Sequence, residues 1–127
     1  MPNFPSLARG ESLATVLEKF NTGVEKPLMQ LHEILMRSED SPLSVAQREL
    51  IAAFVSGIMS CDYCVGIHTR VAENFGIREG LLKDLLEDID LADVEDAMKP
   101  ILHYVKKATL HPSKITQADS QAVFDAG

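Results

Sequence analysis

The sequence predicts an all-α chain of six or seven short helices. No stretch alternates apolar and polar residues over a useful length, so no strand is placed. Apolar residues recur three and four apart instead, as they do on one face of a helix. Ser, Thr and Asp at candidate helix starts, and Gly and Pro at candidate ends, divide this pattern into pieces. Helices this short are marginal alone, so they must pack on one another or on a second subunit.

The first helix is predicted over 12–21, with Ser12 as cap and Leu13, Val16, Leu17 and Phe20 on one face. Gly23 breaks it. A second covers about 25–38, with Pro27 in its first turn and Leu28, Leu31 and Ile34 or Leu35 as its stripe. Pro42 lies in a polar turn. Ser44 followed by Gln47 reads as a capping box opening a third helix that runs to about Met59. Val45, Leu50, Ala53, Phe54, Val55 and Ile58 make that helix apolar on most sides, which places it centrally or in an interface. Gly57 and Ser60 predict a bend before Cys61. A fourth helix follows, ending at Gly76 as a C′ glycine. The fifth covers about 78–88 with Leu81, Leu82, Leu85 and Leu86 inward. Asp93 is the expected cap of a sixth helix reaching about Thr109, in which Pro100 predicts a kink or a late start. Thr116 is the expected cap of a last helix over 117–126.

At 127 residues the chain is expected to form one domain, 1–127, with a small core. Its net charge of −7 argues against nucleic acid and anionic membrane surfaces as partners. No segment approaches the roughly 20 apolar residues of a membrane span. The start, Met1-Pro2-Asn3-Phe4-Pro5, lacks the basic and apolar regions of a signal peptide, so a cytoplasmic location is expected. A permanent structural disulfide is not expected there. A close cysteine pair in such a protein points to redox or metal chemistry.

Both cysteines of the chain lie in Ser60-Cys61-Asp62-Tyr63-Cys64-Val65-Gly66-Ile67-His68. On a helix Cys64 and His68 stack one turn apart, and Cys61 lies on a nearby strip. The imidazole can take the Cys64 proton, and Cys61 can close a disulfide across one turn. This set suits peroxide reduction: one thiolate becomes a sulfenic acid, the other condenses with it, and an outside dithiol resets the pair. Glu49, in the mostly apolar helix before, is costly to bury unless paired. If the two helices pack antiparallel across the bend, it can reach His68 and raise its basicity. The attacking sulfur can be argued both ways. Cys61 is nearer the helix N-terminus, whose partial charge lowers a thiol pKa, whereas Cys64 has a specific base, the stronger effect. Cys61, Cys64 and His68 with His32 or His103 also make a conceivable zinc set, though no second closely spaced ligand pair is present. Covalent haem needs a histidine where Val65 stands, and a thioredoxin fold needs strands.

Glu49 followed by Leu50-Ile51-Ala52, then Cys61-x-x-Cys64-x-x-x-His68 and Asn74-Phe75-Gly76, resembles the alkylhydroperoxidase D-like branch of the carboxymuconolactone decarboxylase superfamily. The match is specific over about 44–76. It implies an all-α bundle completed by oligomerisation, commonly a homotrimer or homohexamer, and peroxidase activity recycled by a dithiol reductant. By this resemblance Cys64 is the peroxidatic cysteine, Cys61 the resolving one, and Glu49 and His68 the proton relay. Tyr63 stands where the best-known peroxidases of the group carry a histidine. The expected function is a thiol-dependent peroxidase acting on a small hydroperoxide, with no cofactor and no metal. The alternatives are a lyase or isomerase on a small lactone, or a non-enzymatic redox-sensing or zinc-stabilised oligomer. His32, His103 and His111 are assigned no role.

Overall fold

The computed structural model describes residues 5–20 and 22–127, which hold seven α-helices and no strand. The chain divides into a unit up to Ser41 and a second from Pro42 to Gly127. In the first, α1 (Leu13–Phe20) packs on α2 (Glu25–Arg37). Ser12 Oγ accepts the Thr15 N–H at 3.1 Å, the expected cap. Position 21, the expected end of α1, lies outside the described residues. Neither helix buries a residue, and Phe20, Leu28, Leu31 and Ile34 are exposed.

The second unit holds the core. Its axis is α3 (Val45–Ile58), which packs on α4 (Asp62–Asn74), α5 (Leu81–Glu87) and α6 (Met98–Leu110). Ser44 and Gln47 form the expected capping box, with bonds of 3.1 and 2.8 Å. Leu50, Ala53 and Phe54 of α3 meet Leu81, Leu82 and Leu85 of α5 and Met98 and Leu102 of α6 in one apolar cluster. The side chains on the near-apolar circumference of α3 thus have neighbours on several sides. Gly76 closes α4 with φ 103.

Two boundaries differ from the sequence expectation. α5 begins at Leu81 rather than 78, because Gly80 takes a left-handed conformation (φ 81) just before it. α6 begins at Met98, and Asp93 does not cap it. A helix starting at 93 would carry Pro100 in its interior, where it removes a backbone bond and clashes with the preceding turn. Starting at Met98 puts Pro100 in the first turn, so of the two expected effects it is the late start that occurs. Asp88 Oδ1 organises the loop between these helices by accepting the N–H groups of Asp90 and Leu91 at 2.8 and 3.3 Å. After a single 3-10 turn, α7 (Gln117–Asp125) packs on α6 and opens with a Thr116–Asp119 capping box.

Candidate active site

The cysteine pair sits where α3 hands over to α4. Cys61 is the N-cap of α4 and Cys64 lies in its first turn. Their sulfurs are joined in a disulfide, with the Cα atoms 5.4 Å apart, inside the range such bonds require. His68 follows Cys64 by one turn on the same helix.

Glu49 comes from α3. Its side chain is 1% exposed, among the least accessible in the molecule. The antiparallel packing of α3 on α4 brings it to His68, with Oε2 2.7 Å from Nδ1. A carboxylate in an apolar helix is costly without such a partner. With Nδ1 donating to Glu49, the other ring nitrogen, Nε2, is the one left to accept a proton. The imidazole is 24% exposed, so the dyad has a dry end in the core and an accessible end. Arg48, the next residue back on α3, donates from its Nε to Ser44 O at 3.4 Å.

The structure therefore brings together the residues singled out from sequence in two pairs, Cys61 with Cys64 and Glu49 with His68. His103, a conceivable fourth zinc ligand, lies on α6 and pairs through Nε2 with Asp90 Oδ1 at 2.9 Å. Ser56 was missed: it is buried, and its carbonyl accepts the Cys61 N–H at 2.9 Å. No side-chain pattern announces a residue that acts through its carbonyl. Tyr63 is about half exposed beside the disulfide, and Ile67 lies exposed one turn further along α4.

Among the described residues, no helix is long and apolar enough to cross a membrane. A comparison with curated proteins gives no match. Among solved structures, an uncharacterized peroxidase-related protein from Silicibacter sp. TM1040 is similar, with a TM-score of 0.78 and 27% identity over 89% of this chain. The chain spans 60% of the length of that protein. This likeness is consistent with the alkylhydroperoxidase D-like branch. Residues 23–106, which include the whole Glu49 to His68 constellation, match the carboxymuconolactone decarboxylase family. The chain belongs to the carboxymuconolactone decarboxylase family.

Proposed function

We propose that the protein is a thiol-dependent peroxidase that reduces small hydroperoxides through Cys61 and Cys64. The observation that carries this reading is the buried Glu49 hydrogen-bonded to His68 one turn after a cysteine that is already paired in a disulfide. His68 Nε2 accepts the Cys64 proton, directly or through a water, and Glu49 holds the imidazole and offsets its charge. The Cys64 thiolate attacks one peroxide oxygen. The O–O bond breaks, an alcohol leaves with the proton from His68, and Cys64 becomes a sulfenic acid. Cys61 then attacks that sulfur, water leaves, and the disulfide forms. An outside dithiol returns two electrons and two protons.

The protein works in this reading as a cytoplasmic homo-oligomer, a trimer or hexamer, of single-domain chains. The exposed Phe20, Leu28, Leu31 and Ile34 support association, since burying them against another copy is favourable. A thiol titration before and after one equivalent of hydroperoxide tests the chemistry. The expected result is loss of both thiols with a Cys61–Cys64 bond seen by mass spectrometry. Retention of both thiols sinks it.

The second reading is a lyase or isomerase on a small lactone, the activity that names the family. Glu49 and His68 form an acid–base pair that needs no thiol. Turnover of such a substrate by a chain lacking both cysteines favours it.

A further inference from the structure

The turn between α3 and α4 is a Schellman motif. The Ser60 N–H donates to Gly57 O at 3.1 Å and the Cys61 N–H to Ser56 O at 2.9 Å. The residue between, Ser60, has φ 55. Glycine usually holds that position, because a Cβ crowds the backbone in the left-handed region. Among the described residues, Ser60 is the one non-glycine residue with positive φ. It lies immediately before the redox pair. Isolated backbone strain of this kind concentrates at functional sites.

Cys61 holds two positions at once. It is the last residue of the α3 motif and the N-cap of α4, where its carbonyl accepts the Val65 N–H at 2.9 Å. Its backbone is hydrogen-bonded on both sides, so its sulfur moves by side-chain rotation. An N-cap side chain ordinarily accepts an amide from the first turn of its helix. Cys61 makes no such bond here, its sulfur being held by Cys64. Once the disulfide opens, the Cys61 sulfur is free to turn to the first-turn amides of α4, among them that of Cys64 itself.

We propose that Ser60 is a positioning residue of the redox pair: its left-handed backbone fixes Cys61 where the sulfur reaches Cys64 when oxidised and caps α4 when reduced. This rests on the reading that the pair cycles. In the reducing half of that cycle an outside dithiol gives two electrons and two protons. Its own sulfurs join, the Cys61–Cys64 bond breaks, and each chain sulfur leaves as a thiol. The disulfide needs one separation of the two cysteines, whereas free thiols tolerate displacement. A residue that resists the left-handed region at 60 therefore penalises the oxidised form more than the reduced one.

The test equilibrates the full chain with mixtures of oxidised and reduced dithiothreitol, and reads the disulfide fraction by thiol alkylation and mass. Ser60→Gly and Ser60→Asn, which accept the left-handed region, are expected to stay within about twofold of the unaltered equilibrium. Ser60→Val is expected to move it about tenfold toward the dithiol, from the cost of a branched side chain there. Ser60→Ala moves it the same way by less, and decides the matter if the valine variant does not fold. Melting temperatures of both redox forms are read alongside. A turn with a merely structural role lowers both forms equally and leaves the equilibrium unmoved, and that result overturns the proposal. Hydroperoxide turnover of the unaltered chain is measured separately. Its absence removes the peroxidase reading, while a shifted Ser60 equilibrium still stands.

Discussion

Glu49 Oε2 and His68 Nδ1 lie 2.7 Å apart although they are 19 positions apart in the chain. The carboxylate is buried on the central helix, and the imidazole reaches from the buried side of the next helix toward the surface. In the proposed function this relationship supplies the CxxC pair with its own base.

Replacing Glu49 by glutamine keeps the shape and removes the charge. We expect kcat/KM for a small hydroperoxide to fall about a hundredfold, within the usual worth of positioned acid–base catalysis. Steady-state turnover with dithiothreitol as reductant measures it. Unchanged turnover in a folded Glu49→Gln protein removes Glu49 from the relay.

The two cysteines have different expected phenotypes. Cys64→Ser abolishes peroxide consumption. Cys61→Ser still consumes one equivalent and stops with a sulfenic acid on Cys64, which a dimedone adduct at that residue reports by mass. An adduct on Cys61 in the Cys64→Ser protein would reverse the assigned order.

Phe54 is 1% exposed at the centre of the core, on the same helix as Glu49. Phe54→Ala should cost about 3–5 kcal/mol, the transfer term plus a cavity. Urea unfolding followed by circular dichroism measures this, and a loss under about 1 kcal/mol would contradict the packing described.

Asp119 gives an acid-side prediction. Hydrogen bonds from the Lys107 ammonium (2.6 Å) and from Thr116 (N at 2.6 Å, Oγ1 at 2.7 Å) lower its pKa to about 2. A carboxyl with a lowered folded-state pKa binds its proton more weakly folded than unfolded. Its stabilisation is complete above the ordinary carboxylate value of roughly 3.9 and is lost as pH falls toward about 2. Unfolding midpoints measured across that window should fall more steeply in the unaltered chain than in Asp119→Asn. Equal slopes would mean that the Lys107 pairing contributes nothing to the fold.

Most of the helical layout was legible because its signals are local. Ser44 and Gln47 announce their capping box three residues apart, Gly76 announces the end of α4, and the apolar circumference of α3 announces its central place. Glu49 stood out as a charge inside that apolar run, and its meeting with His68 followed from folding one helix back on the next. The errors arose where several residues compete for one turn. Asp93 is a good cap by type, but Pro100 dictates where α6 can begin. The start of α5 is set by a left-handed Gly80 that apolar periodicity does not register. The hold on Cys61 was visible only as a weak point at Gly57 and Ser60, because the groups that make it are backbone amides and carbonyls, common to every sequence.

Met59, Ser60 and Cys61, the three residues between α3 and α4, each take part in capping one of these helices, so none of them is spare. Inserting or deleting a single residue at this junction would break the cap hydrogen bonds that Ser60 and Cys61 make to Gly57 and Ser56 and displace α4 against α3. His68 would swing away from Glu49 while every side chain of the site remained present. The spacing of these groups along the chain is thus as much a part of the site as their identities, and a change of length at the junction would cost the site its geometry.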